Sequence, residues 1–200
     1  GLGNKFLSHI REVDAIAEVV RIFDDPDVIH VHGEVDPLKD IEVIELELAL
    51  ADLESARKRL SQVEQDSKQG GKEILFGMAL LERLVKALEA GQGALTLSFN
   101  EEEKKVLGGM HLLTAKPVLY VLNRKSQGHN LDELNDGRFE KLMDFFKSGG
   151  AVWVFTDAAV ENELKDVAED DKEAFRQEFG VQESGVDLLI QKGYELLGLI

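Results

Sequence analysis

The sequence predicts an α/β protein in which three strands form a parallel sheet and a long antiparallel helical hairpin is inserted after the first strand. An almost unbroken apolar run spans residues 118–122, and two further β-prone segments cover residues 15–23 and 151–155. Heptad patterns occupy residues 46–63 and 74–88, on either side of a glycine turn. Apolar strands separated by helical patterns are typical of a parallel sheet covered by helices.

The segment at residues 116–123, KPVLYVLN, is predicted to be the central strand of this sheet. Its apolar run is opened by Pro117 and closed by Asn123, which indicates a strand buried on both faces. In open α/β sheets, ligands bind beyond the carboxyl ends of the strands. A side-chain amide at that place offers two donors and an acceptor, so Asn123 is the first candidate for a ligand-reading residue.

Shorter elements surround the three strands. Residues 4–12 form a helical stripe with Asn4 as its cap, and residues 94–99 are β-like. Asn100, followed by three glutamates, predicts a further helix start that leads into residues 104–114. More amphipathic helices are predicted over residues 131–147, with an interruption near Asp136, and over residues 161–167, 170–179 and 186–199.

The heptad segments predict two antiparallel helices that form a coiled coil. The seam of the first arm consists of Leu46, Ala49, Leu53, Ala56, Leu60 and Val63. Residues 68–71 form the turn, and the first arm would project by about 35 Å at the 1.5 Å rise of a helix. The alternative is a pair of ordinary core helices. We predict that residues 37–91 are the hairpin insertion and that residues 1–36 and 92–200 form the α/β domain.

The composition describes an acidic protein without cysteine. The 200 residues include 39 acidic and 23 basic side chains, so the formal net charge is −16. This charge repels phosphate backbones, and the basic runs at residues 57–59, 104–105 and 124–125 are interpreted as solvated surface. We therefore expect no strong direct binding of nucleic acid. No apolar run approaches the roughly 20 residues of a membrane span. We expect no membrane contact and a cytoplasmic location, which the lack of cysteine fits.

No reaction centre is visible in the sequence. His30 and His32 would share one face of a strand, as two metal ligands do, but no third ligand follows nearby, which favours a histidine pair without metal. The chain contains no G-x-x-x-x-G-K-[ST] phosphate-binding loop, no G-x-G-x-x-G and no H-E-x-x-H. We expect neither a catalytic residue nor a metal ligand within this chain.

Two loops at predicted strand ends, residues 123–126 (NRKS) and 156–159 (TDAA), resemble the base-recognition half of a GTPase-type domain. That fold carries an N-K-x-D loop and an S-A-x loop at these places. More specifically, the chain resembles the YchF family of Obg-like ATPases, within the P-loop GTPase superfamily. The stretches that carry the resemblance span nearly the whole chain: residues 1–12, 20–23, 29–37, 40–53, 116–123 and 192–194.

The resemblance implies a partial P-loop GTPase-type sheet of three strands that carries the family's helical insertion. Residues 1–36 and 92–200 would then be the C-terminal half of the GTPase-like domain. Family members carry the phosphate-binding loop and both switches upstream of this region and a small TGS domain downstream. They bind and hydrolyse ATP, often GTP too, with magnesium, and they associate with ribosomes. Whether this chain is an enzyme stays open, and neither ATP nor GTP is expected to bind tightly to it alone.

The resemblance assigns the purine base to the two loops and one nearby ring. The candidate base-binding residues are Asn123, Arg124, Ser126, Asp157, Ala158, Ala159 and Phe23. Arg124 stands where the GTPase lysine packs over the base, and Phe23 either flanks the pocket or belongs to the core. Ser126 replaces the acid of the family's N-x-x-E. A serine offers a neutral hydroxyl in place of a charged acceptor, so the choice between ATP and GTP is open.

Three interpretations of function follow. In the first, the chain contributes the purine-recognition loops and the helical arm of a ribosome-associated YchF-type ATPase or GTPase, and it is inactive alone. In the second, it is a partner-binding module that docks through its hairpin. In the third, it is a complete small α/β domain without nucleotide chemistry. A half-sheet leaves the strand at residues 15–23 with an unpaired edge, which predicts edge-to-edge homodimers.

Overall fold

The computed structural model describes residues 3–28, 33–66, 71–181 and 183–200, in which strands and helices follow each other along the chain. The first half of the chain contains α1 (Asn4–Glu12), β1 (Ile16–Arg21), β2 (Phe23–Asp24), α2 (Pro37–Asp66), α3 (Lys72–Glu89) and α4 (Glu101–Gly108). The second half contains β3 (Val118–Asn123), β4 (His129–Asn130), α5 (Leu131–Leu134), α6 (Arg138–Gly149), β5 (Val152–Thr156), α7 (Ala158–Leu164), α8 (Glu169–Glu178) and α9 (Gly185–Leu196).

The chain divides into two compact units. The helical unit comprises Gly1–Asp14 and Glu42–Lys116, and the sheet unit comprises Ala15–Ile41 and Pro117–Ile200. The domain division predicted from the sequence stays a prediction. The compact units differ from it, because residues 1–14 and 92–116 group with the hairpin helices.

The sheet unit contains the predicted parallel sheet of three strands. The strand order is β1-β3-β5, with Val19 of β1 opposite Val121 of β3 and Val121 opposite Val154 of β5. The apolar run lies on β3, which is the central strand of the sheet and is buried on both faces. Among the described residues, β1 pairs only with β3, and Val19 on it is 65% exposed. The α/β fold class is confirmed.

Two apolar clusters cover the faces of this sheet. On one face, Tyr120 and Leu122 of β3 pack with Leu142 and Phe146 of α6. The other face, with Leu119, Val121 and Val154, packs against the α9 side chains Leu188, Leu189 and Leu196. At roughly 25 cal/mol per Å² of buried apolar surface, these clusters are the main stabilising force of the sheet unit.

The helical unit is built on the predicted antiparallel pair of helices. Leu53 and Ala56 of α2 share a core with Leu81 and Leu84 of α3, and Arg57 of α2 reaches across to Glu89 with 2.5 Å between Nη2 and Oε1. The seam prediction is wrong at Leu46, which is 53% exposed, because Leu48 is buried there instead, next to the predicted seam residue Ala49. Residues 68–70 of the predicted turn lie outside the described residues. The coiled-coil character stays a prediction.

A fully buried carboxylate organises this unit in a way that the heptad pattern does not predict. Asp52 is 0% exposed, and its oxygens accept hydrogen bonds from the backbone N–H groups of Leu113 (3.0 Å) and Thr114 (2.8 Å) and from the Thr114 hydroxyl (2.8 Å). The Arg11 guanidinium adds an ion pair at 3.0 Å. A buried charge is tolerated only with such partners, and Asp52 has four.

Three local predictions are wrong. Residues 94–99 are not a strand, because a 3-10 turn spans Ala94–Thr96 and the Ala94 N–H donates to the Thr114 hydroxyl at 2.9 Å. Helix α1 begins at Asn4 with Gly3 at the cap position, so Asn4 is not the cap. The helix after Asn100 ends at Gly108, and Leu113–Ala115 forms a separate 3-10 turn. The capping box of Asn100 and Glu103 at the start of α4 is present as expected.

None of the described helices combines the length and the apolar character that a membrane span needs.

Candidate functional site

The two loops singled out in the sequence lie side by side at the carboxyl edge of the sheet. Asn123, the last residue of β3, is paired in register with Thr156, the last residue of β5. The next backbone N–H, that of Arg124, donates to the Thr156 carbonyl at 2.8 Å. Because parallel strands end at the same edge, the loops after them meet where ligands bind in open α/β sheets.

Asn123 joins the two loops through its side chain. Its Oδ1 accepts a hydrogen bond from the Ala158 N–H at 3.0 Å. Since a backbone N–H requires an acceptor, the oxygen of this amide is fixed toward the chain and the nitrogen must point the other way. Within the described residues no acceptor lies against Asn123 Nδ2. Two N–H donors are therefore available at this edge.

Asp157 holds the same loops together from the other side. It is 6% exposed, and its Oδ1 accepts from the N–H groups of Ala159 and Val160 at 3.1 Å each, which caps α7. Its Oδ2 accepts from the Ser126 N–H at 2.6 Å. The predicted exit loop is thus shorter than expected, because α7 begins already at Ala158.

Ser126 is half-buried and turned toward the end of α8. Its hydroxyl donates to the Phe179 carbonyl at 3.3 Å, while its backbone N–H is taken by Asp157. The loop around it turns tightly, with a φ of 57° at Gln127 and no room for a β-carbon at Gly128, where it would lie 2.9 Å from Lys125 Cβ. The proton of the Ser126 hydroxyl is therefore already donated within the chain, and its oxygen remains an acceptor.

Asn130 is a residue that the sequence analysis missed. It is 4% exposed, its Oδ1 accepts from the Lys125 N–H at 2.9 Å, and its Nδ2 donates to the Lys125 carbonyl at 3.1 Å. The side-chain amide of Asn130 thus pairs with the backbone of Lys125 as a residue of a neighbouring strand would. The only signal in the sequence was an asparagine directly before an apolar helix, which is typical of a helix cap.

Arg124 is turned toward α5. Its guanidinium forms ion pairs with Asp132, at 3.3 Å, and with Glu133, and it lies over the Phe155 ring with 5.5 Å to the ring centroid. Lys125 forms an ion pair with Asp25, which holds the pKa of that carboxyl below its ordinary value. Both cations next to Asn123 are thus paired with acids of the same unit.

Phe23 belongs to a small second ladder. It lies in β2, which pairs antiparallel with β4 and places Phe23 opposite Asn130. The Arg21 guanidinium sits 4.7 Å from the Phe23 ring centroid. Arg138 supports the neighbouring Asp24 at 2.8 Å, and this contact, with Asp136, raises the pKa of Arg138 above its ordinary value. The ring of Phe23 is half-buried and stacked on a cation.

A cavity of about 740 Å³ adjoins these loops on the side of β5. Arg124, Ser126 and Asp157 line it, but Asn123, Ala158, Ala159 and Phe23 do not. Further walls come from β5, the loop after α8 and α9: Trp153, Phe155, Phe179, Val181, Leu188 and Lys192. The cavity therefore shares one wall, formed by Arg124, Ser126 and Asp157, with the candidate base site.

A metal centre is not visible in the described part of the chain, where no three His, Asp or Glu side chains converge. The predicted pair of His30 and His32 lies outside the described residues.

Comparison with known proteins finds close relatives along the whole chain. The chain is 43% identical over 199 residues to the ribosome-binding ATPase YchF of Bacillus subtilis, which covers 100% of this chain and 54% of that protein. It is 38% identical over 185 residues to Obg-like ATPase 1 of Saccharomyces cerevisiae, covering 86% of this chain and 45% of that protein. No protein-family model matches. The chain spans about half the length of the curated relatives it matches.

A solved structure agrees with this likeness. The structure of the Schizosaccharomyces pombe YchF GTPase superposes with a TM-score of 0.81 at 30% identity, over 98% of this chain and 53% of that chain.

Proposed function

Because the chain belongs to the YchF family of Obg-like ATPases, we propose that it supplies the purine-recognition loops and the helical arm of a ribosome-associated nucleoside-triphosphate hydrolase. The observation that carries the proposal is the hydrogen bond between Asn123 Oδ1 and the Ala158 N–H, which joins the two loops at one sheet edge. The candidate base-binding residues remain Asn123, Arg124, Ser126, Asp157, Ala158, Ala159 and Phe23.

The residues at this edge fit a purine and not a triphosphate. Asn123 offers open N–H donors, which suit the acceptors on a purine edge. The sequence contains no G-x-x-x-x-G-K-[ST] loop, whose backbone N–H groups and lysine hold most of the phosphate charge in such proteins. We therefore expect this chain alone to bind ATP with magnesium more weakly than about 10 μM and to hydrolyse nothing.

Amide chemical shifts of the isotope-labelled chain test the base site. Titration with ATP up to ~10 mM is expected to move the signals of residues 123–126 and 157–159, since a free energy of only about 3 to 4 kcal/mol is detectable there. Cytidine triphosphate is the matched ligand control, because it has the same phosphates without a purine. Asn123→Ala should abolish the shifts, and Asn162→Ala, an exposed position on α7, should not. Equal shifts with both nucleotides, or none with either, would contradict the proposal.

The helical arm supports the second part of the proposal. Leu46 and Leu50 of α2 are 53% and 54% exposed, and Leu75 of α3 is 63% exposed, so the arm carries apolar side chains that no described residue covers. Cosedimentation with ribosomes should be lost when residues 47–89 are deleted and retained after Asn123→Ala. The fluorescence of Trp153, the single tryptophan and a residue of the sheet unit, checks that this unit stays folded. Unchanged cosedimentation of the deletion variant rejects the arm as the contact.

A further inference from the structure

We propose that a small cavity in the helical unit receives a large apolar side chain from a segment of a basic protein, and that the helical arm contacts this segment and not RNA. The cavity has a volume of about 250 Å³ and is lined by residues of α2, α3 and the end of α4. All of them belong to the helical unit. The inference deepens the proposed contact of the arm with ribosomes and rests on it for the assembly to which the segment belongs.

The walls of the cavity are mostly apolar. They are formed by Val63, Ile74, Leu81, Val106 and Met110. An apolar cavity of roughly 150 Å³ is large enough for benzene, so this one has room for a leucine, methionine or phenylalanine side chain. Water against these walls finds few polar partners, and its displacement by an apolar group is favourable.

Gly77 lines the cavity and keeps it open. It lies inside α3 and is buried, yet nothing lies within 4 Å of the position that its β-carbon would take. Glycine within a helix is less stable than alanine, and alanine would fit here without a close contact. The glycine therefore gives the chain no packing of its own, and it leaves space that an incoming side chain can fill.

The charged side chains around the cavity favour a cationic partner. Asp66 and Glu73 line it together with Arg59, and all three are exposed. Within the part of the chain that the structure describes, neither acid forms an ion pair. The whole chain carries a formal net charge of −16. A ribosome offers both RNA and basic proteins, and an acidic field repels phosphate and attracts lysine and arginine, so a protein segment is the better match.

Methyl chemical shifts of the isotope-labelled full chain test the cavity with synthetic peptides. The probe is a short peptide with one leucine between two runs of lysine. It should shift the methyl signals of Ile74, Val106 and Met110 and bind about tenfold more tightly than the same peptide with alanine in place of leucine. A leucine peptide with glutamates in place of the lysines should bind about threefold more weakly at low salt, and this difference should vanish at about 1 M salt.

Two variants separate the shape of the cavity from its charge. Gly77→Leu fills the space and should weaken the lysine–leucine peptide by about tenfold, whereas Ala79→Leu, at an exposed position of the same helix, should not. Glu73→Lys changes an exposed side chain only, so it tests the proposal even where Gly77→Leu fails to fold. It should weaken the lysine peptide by about threefold and strengthen the glutamate peptide.

Equal binding of the leucine and alanine peptides, or undiminished binding by folded Gly77→Leu, would overturn the cavity as a docking site. Unchanged affinities of Glu73→Lys for both charged peptides would overturn the cationic partner.

Cosedimentation with ribosomes decides between protein and RNA. Loss of cosedimentation in Gly77→Leu and its retention in Lys58→Glu, an exposed position on α2, would support the protein segment. The reverse result would assign the contact to RNA phosphates and overturn the inference. Unchanged cosedimentation after deletion of residues 47–89 would reject the arm in the proposed function, while the peptide titrations would still decide whether the cavity takes an apolar side chain.

Discussion

Replacing Gly185 by alanine is expected to destabilise the sheet unit, because the start of α9 touches the end of β5. A β-carbon at Gly185 would lie 2.4 Å from Thr156 Oγ1, 2.8 Å from Thr156 Cβ and 2.9 Å from Thr156 Cα. The last of these is a backbone atom of β5, so a side-chain rotation cannot relieve the contact. Overpacking of this kind costs about 1 to 3 kcal/mol. The hydrogen bond from the Gly185 N–H to Glu161 Oε1, at 2.7 Å, would be strained by the same displacement.

The assay is urea and thermal unfolding followed by the fluorescence of Trp153, which lies on β5 near the contact. A loss of about 2 kcal/mol would lower the melting temperature by roughly 4 to 8 °C for a chain of this size. Gly193→Ala is the matched control on the same helix. Nothing lies within 4 Å of its β-carbon position, so alanine there should stabilise by about 0.5 to 1 kcal/mol. The reasoning fails if both substitutions shift stability in the same direction.

Three further predictions concern the polar contacts. Asp52→Ala should cost the helical unit about 3 to 5 kcal/mol, since it removes the ion-pair partner of Arg11 and the acceptor of three other donors. Urea unfolding followed by circular dichroism at the helix minimum measures it, with Glu54→Ala at an exposed position of the same helix as control, and a loss below about 1 kcal/mol would contradict it. The hydrogen bond from the Asn100 N–H holds the pKa of the Glu103 carboxyl below its ordinary value, so the stability that this carboxylate gives the folded chain is complete above the ordinary pKa and is lost as the pH falls. On acidification, the melting temperature of Glu103→Gln should therefore decline less steeply than that of the parent chain, and parallel curves would refute this. Asn130→Ala should speed amide exchange at Lys125, whereas His129→Ala, at an exposed neighbouring position, should not. Equal exchange rates at Lys125 in the two variants would show that the Asn130 side chain does not hold the loop backbone.

The parallel sheet was predictable because its signal is long and strong. The apolar run of β3, with its flanking proline and β-branched residues, favours a strand buried on both faces, and helices between strands favour parallel crossovers. The meeting of Asn123 with the loop after β5 follows from that topology alone. The fold of the α/β core was therefore predictable from sequence patterns to which many residues contribute.

Features that depend on one side chain were not predictable. Residues 94–99 have the composition of a strand, but the Thr114 hydroxyl, 20 residues away in sequence, fixes a 3-10 turn there. The two-residue ladder of β2 and β4 is too short for a periodicity. Asp52 sits within a helix whose pattern predicts only an apolar seam, and its partners come from the distant residues Arg11, Leu113 and Thr114. Long-range hydrogen bonds of this kind leave no local signal in a single sequence.

For the candidate site, the sequence predicted where the residues lie better than what they do. Ser126 and Asp157 are adjacent, as two neighbouring loops require, but their hydrogen bonds run within the chain. Asn130 was not singled out in the sequence, yet its side chain holds the loop backbone. The assignment of individual residues to the base stays a prediction.

Asn123 has an oxygen bound to its own protein and a nitrogen that faces outward, so exchange of its amide for a carboxylate would affect the two sides unequally. In Asn123→Asp the inward oxygen is kept, which spares the contact with the Ala158 N–H. The outward group would change from a neutral donor into a negatively charged acceptor. Asn123→Asp is therefore expected to retain the spectrum and the melting curve of the parent chain while rejecting the acceptor atoms of a ligand that the parent chain binds.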